Sequence, residues 1–396
     1  MKALQDIVVL DLTRVLAGPY CTMMLADFGA DVIKIEIPVK GDDTRGMGPF
    51  VNNSSLYYAN VNRNKKSVTL NLKDPKGKEM FLAMVKKADV VVENYRPGVM
   101  DRMGLGYDVL KEANERIIYA AVSGFGSYGR YSSRPGYDII AQAYGGLMSI
   151  TGEQDGDPLR VGTAIGDVLG GMNLTIGVLT ALHARELSGK GQRVDVALVD
   201  SVVSSLETGT QRYFASGKLP RRIGNRYASA YPYDSFKAKD GDFVIGCGND
   251  KLFNLLCTKV LHREDLLTDP RFLNNALRCE NHDALKVEIE KWSTTLTAAE
   301  AYDAINAAGV PASPINDLYQ VSHDPHIVED RQMFIPVKHP EIGDMRVNGN
   351  PVKLLDMMPE VCTCAPELGQ HNEEIYGWLL GMDKAQLQAL AEEHVI

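Results

Sequence analysis

Residues 161–171 read Val161-Gly162-Thr163-Ala164-Ile165-Gly166-Asp167-Val168-Leu169-Gly170-Gly171, one carboxylate among small side chains at the head of an apolar stretch. The apolar spacing predicts a helix from this point to about residue 186, with Asp167 at or near its N-cap. Unpaired N–H groups and the helix dipole there favour an ionised carboxylate. Two readings stand side by side. Asp167 is an ordinary cap, or it is a carboxylate nucleophile, charged at neutral pH and flanked by glycines that let a bulky substrate approach the backbone. Gly170 and Gly171 each cost a helix about 1 kcal/mol relative to alanine, so their presence asks for a reason.

A second set of groups is basic. Arg14, Lys34, Lys40, Arg45, Arg63, Lys65, Lys66, Lys73, Arg96, Arg102 and Arg134 all fall in the N-terminal half, near the ends of predicted strands. In a parallel α/β sheet the crevice outside the strand carboxyl ends is where ligands bind. In a chain of net charge −9 such a set suits a phosphorylated ligand, such as a nucleotide-bearing cofactor, held by charge-assisted contacts to phosphate. Taken singly, each reads better as an ordinary solvated charge.

Several common chemistries are excluded. The first strand-to-helix turn, residues 12–19, lacks the GxGxxG spacing of a dinucleotide site, and no GxxxxGK[ST] occurs, so ATP hydrolysis is not implied. HExxH and GxSxG are both missing, and the eight histidines form no ligand or triad pattern. The six cysteines include no CxxC pair or zinc-finger spacing, so no metal site is expected and the thiols read as reduced. The acidic balance argues against nucleic acid and anionic membrane as partners. The first apolar run is short and contains Asp11, and no unbroken run of 18 apolar residues follows, so neither a secretory signal nor a membrane span is expected and the protein reads as cytoplasmic.

The elements that must position these groups follow from the pattern. Runs at 7–12, 32–37, 89–93, 117–122 and 194–198 read as buried strands, and 19–28, 75–87 and 137–148 as helices between them. Repeated strand-helix order predicts a parallel, doubly wound sheet. At 396 residues the chain is long enough for two lobes. Between 217 and 240 it turns basic, polar and aromatic, which suits a linker. Beyond lie a strand at 243–247, helices at 251–260, 282–292 and 298–308, β-like runs at 334–337 and 345–347, and a terminal helix near 384–393.

With these motifs in order, the chain resembles the class III CoA-transferases. The resemblance runs essentially end to end: VLDLTRVLAGPYCTMMLADFGADVIKIE (9–36), GDDTRG (41–46), LNLKDPKGK (70–78), VVENYRPGVMDRMG (91–104), SGFG (123–126), GYD (136–138), VGTAIGD (161–167), GKGQRVDVAL (189–198) and PELGQHNEEI (366–375). GNR at 224–226 and CGNDKLF at 247–253 are most similar to the branch that moves CoA between acetyl-CoA and oxalate. The resemblance implies an α/β fold: a Rossmann-like large domain with a parallel sheet (1–200 and 326–396), a linker (201–230) and a smaller α+β domain (231–325), in an interlocked, ring-like homodimer. It places the nucleophile on Asp167. Contacts to CoA fall on Leu16, Ala17, Leu70, Lys73, Asn94, Tyr95, Arg96, Arg102, Arg134, Tyr137 and Asp138. Ile37 stands where the formyl-transferring branch has an arginine, with Lys40 as its substitute. The implied substrates are an acyl-CoA thioester, acetyl-CoA or succinyl-CoA, and a small carboxylate, oxalate foremost, with no permanently bound cofactor.

The rival reading is an α-methylacyl-CoA racemase of the same fold, which pairs its aspartate with a histidine in a GHD motif. Here that triplet is Gly136-Tyr137-Asp138, and tyrosine, ionising near 10, is a poor base at neutral pH. A third reading, a CoA-binding protein without catalysis, is disfavoured by Asp167 in its glycine-rich setting. Other dicarboxylates or formyl-CoA remain open as substrates; formyl-CoA is disfavoured because only Ile245-Gly246-Cys247-Gly248 stands where that branch has a glycine-rich insertion.

Overall fold

The structure, a computed structural model, describes residues 2–357 and 362–396. The chain forms two compact units. The larger comprises residues up to Leu147, Arg160–Ala215 and Pro325 onward; the smaller comprises Met148–Leu159 and Ser216–Asp324.

The larger unit opens with β1 (Val8–Asp11), α1 (Ala17–Asp27), β2 (Asp31–Glu36), β3 (Lys66–Thr69), α2 (Pro75–Val85), β4 (Val90–Glu93), β5 (Ile118–Ser123), α3 (Asp138–Tyr144), α4 (Ile165–Ser188), β6 (Arg193–Ala197) and α5 (Leu198–Ser204). The strands lie in the order β3-β2-β1-β4-β5-β6 and every pair is parallel. This is the order of doubly wound nucleotide-binding sheets, whose direction reverses between β1 and β4. Successive side chains point to opposite faces, so each strand feeds two cores. Val9, Val32, Val90, Val92, Ile118 and Val122 meet Leu25 of α1 and Leu174 and Val178 of α4. Leu10, Ile33, Val68, Val91 and Tyr119 meet Phe81 and Met84 of α2.

Local chemistry explains the boundaries. Asp74 caps α2 by accepting from the Lys76 N–H at 2.8 Å, with Pro75 at the first helical position, as the sequence implies. The strand β3, Lys-Ser-Val-Thr, was not foreseen, since an edge strand of mostly polar residues carries no apolar run. The helix expected at 137–148 stops at Tyr144, where Gly145 and Gly146 interrupt it, Gly146 at φ +88°. Residues 201–230, expected as a linker, hold most of α5 and a further helix, Thr208–Ser216.

The helix α4 is long and apolar enough to cross a membrane, contrary to the expectation of no such stretch. In the structure it is a core helix, with Leu174, Val178 and Ala181 buried against the sheet. Its glycines also have a different reason from the one expected. A Cβ on Gly171 would stand 2.6 Å from the Ala17 carbonyl oxygen, and one on Gly170 would stand 2.5 Å from Leu198 Cδ2. They admit α1 and α5, not a substrate.

In the smaller unit β7 (Tyr233–Lys237) and β8 (Asp242–Gly246) are followed by α6 (His282–Ser293), α7 (Ala298–Ala307) and β9 (Ala312–Pro314). The strands form an antiparallel sheet, β9-β8-β7. Phe236, Phe243, Ile245, Leu285, Ile289 and Ile305 make its core, and Thr297 with Glu300 forms a reciprocal capping box at the start of α7. The larger unit resumes with a hairpin, β10 (Phe334–His339) and β11 (Gly343–Asn348), then α8 (Asn372–Leu380) and α9 (Lys384–Glu392). Ile375, Tyr376 and Leu379 of α8 complete the core on the α2 side of the sheet.

The contrast between the two glycines is testable. Gly171→Ala meets a backbone oxygen that cannot rotate away, whereas Gly170→Ala meets a flexible leucine tip. In urea unfolding, Gly171→Ala is expected to destabilise by about 1–3 kcal/mol despite alanine's better helix propensity, and Gly170→Ala by less. Equal stabilities for the two variants would contradict this packing.

Candidate functional site

The reversal between β1 and β4 opens a cavity of about 190 Å³ at the carboxyl edge of the sheet. After β1, Arg14, Val15, Leu16 and Ala17 form one side; after β4, Asn94, Tyr95, Arg96 and Pro97 form another. Val122, Ser123 and Gly124 at the end of β5 line it too, as do Arg134–Tyr137, Leu198 and Asp167.

The turn after β1 is tied to β4 by one side chain. Asn94 Oδ1 accepts from the Arg14 N–H at 2.8 Å, and Asn94 Nδ2 donates to the Arg14 carbonyl at 2.7 Å. A Cβ on Gly18 would meet Thr13 at 2.5 Å, so α1 starts hard against that turn. Tyr95 is ordered from behind: its N–H donates to Glu93 Oε2 at 2.6 Å, while the Tyr119 hydroxyl donates to Glu93 Oε1 at 2.9 Å. Burial pushes the Glu93 carboxyl up to about 7. The Arg14 guanidinium lies 5.4 Å from the Tyr95 ring centre and its Nη1 donates to Asp43 at 3.1 Å.

Asp167 is the third residue of α4, after the N-cap Ala164, which offers no side-chain cap. The N–H of Gly166 is taken instead by Asp138 Oδ1, at 2.7 Å. Gln142 Nε2 donates to Asp138 Oδ2 at 2.8 Å, and Gln142 Oε1 accepts from the Val161 N–H at 2.9 Å. Asp138, expected as a CoA contact, is therefore a 9% exposed brace behind the start of α4. Its charge bears on the neighbour: burial first, and the Asp138 charge second, push the Asp167 carboxyl up to about 7. The expectation that the helix end would favour the ionised form is corrected here, because desolvation outweighs the dipole. Tyr57, which the sequence did not single out, is pushed up to about 12 by burial and by the negative charges of Asp167 and Asp42.

The structure gathers most of the expected residues on one wall and leaves some apart. Leu16, Ala17, Asn94, Tyr95, Arg96, Arg134, Tyr137 and Asp167 line the cavity. Tyr137 is 71% exposed, and the Arg134 guanidinium lies 3.7 Å from the Tyr131 ring centre. Lys40 does not line the cavity; its Nζ pairs at 2.9 Å with Asp43, which does. Leu70 is buried in the core after β3, and Lys73 and Arg102 are exposed outside this wall. Val15, Asp43, Ser123 and Leu198 were missed, although all four lie inside the motifs at 9–36, 41–46, 123–126 and 189–198. Among the described residues no group of acidic, histidine and cysteine side chains could hold a metal ion.

Ligands of sheets with this strand order bind at the switch point, and a cavity edged by arginines and holding a half-buried carboxylate suits an anionic one. Comparison with known proteins gives the family. The chain matches the model of CoA-transferase family III over residues 4–372. It is 47% identical over 349 residues, 88% of each chain, to the acetyl-CoA:oxalate CoA-transferase of Acetobacter aceti. It is 41% identical over 385 residues, 95% of this chain and 96% of the other, to the succinyl-CoA:mesaconate CoA-transferase of Haloarcula marismortui. The crystal structure of a CAIB/BAIF family protein from Brucella suis matches with a TM-score of 0.83 at 36% identity, covering 96% of this chain and 100% of that one. The chain belongs to CoA-transferase family III and is a class III CoA-transferase.

The raised Asp167 carboxyl makes a stability prediction. Unfolded, it ionises near the ordinary aspartate value of 3.8; folded, at about 7. Between those values folding requires the carboxyl to keep its proton, so stability falls as pH rises through this window and levels off above it, by about 4 kcal/mol in all. Asp167→Asn removes the ionisation. Its melting midpoint is expected to exceed wild type by at least about 3 °C at pH 8 and to agree within about 1 °C at pH 4. The same shift at both pH values would contradict the buried carboxyl.

Proposed function

We propose that this enzyme moves CoA from a short acyl-CoA, acetyl-CoA or succinyl-CoA, to a small dicarboxylate, oxalate foremost, with Asp167 as the covalent carrier. The observation that carries the reading is a half-buried carboxylate on the wall of the switch-point cavity, beside Leu16 and Ala17 and, unlike the other wall carboxylate Asp43, not paired with Arg14 or Lys40. The names of the relatives from Acetobacter and Haloarcula support the substrate class. Arg96 and Arg134 on the cavity wall, with Lys40, Lys73 and Arg102 outside it, are available to the phosphates of CoA.

Each step conserves atoms. Asp167 Oδ attacks the acyl-CoA carbonyl, the C–S bond breaks, and a mixed anhydride and CoA thiolate form. The thiolate then attacks the aspartyl carbonyl and expels the first acid, which leaves with an oxygen that was Asp167's. The aspartyl-CoA thioester is attacked by the incoming carboxylate, giving a second anhydride and thiolate. Attack of the thiolate on the new acyl carbonyl yields the product thioester and returns Asp167 with an oxygen from the acceptor. Backbone N–H groups at the Ala17–Gly18 turn stabilise the oxyanions, since the Gly166 N–H is already held by Asp138. Exchange of one thioester for another needs no ATP.

We also infer a homodimer. Met172, Ile176 and Leu187 lie exposed on one side of α4, with the exposed Thr180 and His183 between them, and a second copy would cover these apolar side chains. Light scattering should return twice the chain mass; a monomer would contradict this.

Incubation with acetyl-CoA followed by hydroxylamine is expected to convert Asp167 to a hydroxamate, read by peptide mass spectrometry. Asp167→Ala is expected to lose transfer while still binding CoA, and retention of most of the rate would overturn the assignment. Because the nucleophile must be ionised in free enzyme, kcat/KM is expected to rise with pH through a midpoint of about 7. A midpoint near 4 would contradict the buried carboxylate as nucleophile.

A further inference from the structure

Val15, on the cavity wall, has φ +67°, in the left-handed region. A β-branched residue there is a genuine outlier, and such a conformation persists only where its surroundings over-determine it. Three contacts from distant parts of the chain do so. Lys34 Nζ donates to the Thr13 carbonyl at 2.9 Å. Asn94 clamps both backbone groups of Arg14. The Val15 N–H donates to Asp42 Oδ1 at 3.3 Å. Asp42 is itself fixed: Oδ1 also accepts from the Thr44 N–H at 2.9 Å and hydroxyl at 2.8 Å, and Oδ2 pairs with Lys34 Nζ at 2.8 Å. The Lys34 and Asp42 side chains are 1% and 0% exposed. One buried ion pair thus grips the turn at Thr13 and at Val15.

We propose that the Lys34–Asp42 pair is a positioning device for the transfer reaction: it holds Val15 in the left-handed conformation that sets the backbone of Leu16 and Ala17 against the acyl group carried by Asp167. The inference rests on Asp167 as the carrier. Asp42 and Lys34 touch no substrate; they act through the turn. Without the Asp42 contact, Val15 relaxes to negative φ, and the entry into α1 moves off the reacting carbonyl. Binding of the distant nucleotide end of CoA does not depend on that step, so the defect falls on kcat more than on KM.

The test is a double-mutant cycle in the full-length enzyme, with melting curves to establish folding. Asp42→Asn is expected to lower kcat at least tenfold, with acyl-CoA KM changed less than threefold. In a Val15→Gly background the same substitution is expected to lower kcat less than threefold, since glycine holds positive φ without the Asp42 contact. An equal fall in both backgrounds overturns the proposal, as does an Asp42→Asn enzyme with unchanged kcat. If Asp42→Asn does not fold, Val15→Pro carries the test, because proline fixes φ near −65°: a folded variant that keeps its kcat overturns the proposal, and one that loses kcat while binding CoA supports it. Hydroxylamine trapping on wild type is read separately. No Asp167 hydroxamate there overturns the carrier assignment, whereas a hydroxamate with no coupling between Asp42 and Val15 overturns only the positioning role.

Discussion

Two lysine–aspartate pairs buried under the turn after β1 fix the part of the structure on which the site depends. Lys34 pairs with Asp42 and Lys65 with Asp11, and all four charged ends are shut away from water. Removing an ion from water costs several kcal/mol, so such pairs survive only with nearly complete hydrogen bonding. Asp11 has it: the Thr13 N–H and hydroxyl on one oxygen, the Thr22 hydroxyl and Lys65 on the other. Burial alone would raise Asp11, but Lys65 and Lys34 hold it at about 2; burial lowers Lys65 to about 8, and both pairs stay charged at neutral pH. The turn they brace leads directly into α1, and α1 in turn is what α4 packs against at Gly171.

Asp167 sits at the far side of that chain of contacts, and magnitudes decide its state. A helix N-terminus stabilises a nearby charge by about 0.3–1 kcal/mol, at most about 2. Desolvation of a buried carboxylate shifts it by as much as 3–5 units, each about 1.4 kcal/mol. Burial therefore prevails, and Asp138, which takes the Gly166 N–H, adds a like charge beside it. A carboxylate ionising near 7 is more basic, and so a stronger nucleophile, than an exposed one, while remaining substantially ionised at neutral pH. The same burial that costs stability suits the group to covalent chemistry.

Much of this was legible in the chain. Apolar runs marked β1, β2, β4 and β5 because a parallel strand covered on both faces is mostly apolar, and the alternating valines of Arg-Val-Asp-Val-Ala marked the edge strand β6. The capped start of α2 was legible in Asp74-Pro75. The polar edge strand β3 was not, and neither was the packing role of Gly170 and Gly171, which depends on where α1 and α5 come to lie. Asp167 stood out by its setting, but the direction of its ionisation did not. That depends first on burial, which only the packed fold supplies, and then on Asp138, which is 29 positions away along the chain. The strain at Val15 left no mark at all, since nothing in Thr-Arg-Val-Leu suggests positive φ; it is imposed by Asp42, Lys34 and Asn94.

The central claim, that Asp167 carries the acyl group covalently, is tested most directly by following oxygen. With acetyl-CoA and oxalate labelled with oxygen-18 in its carboxylates, each turnover leaves one acceptor oxygen on the aspartate. After many turnovers the peptide holding Asp167 should gain about 2 and then about 4 mass units, with no other peptide changed. Product formation with an unlabelled Asp167 would contradict the account.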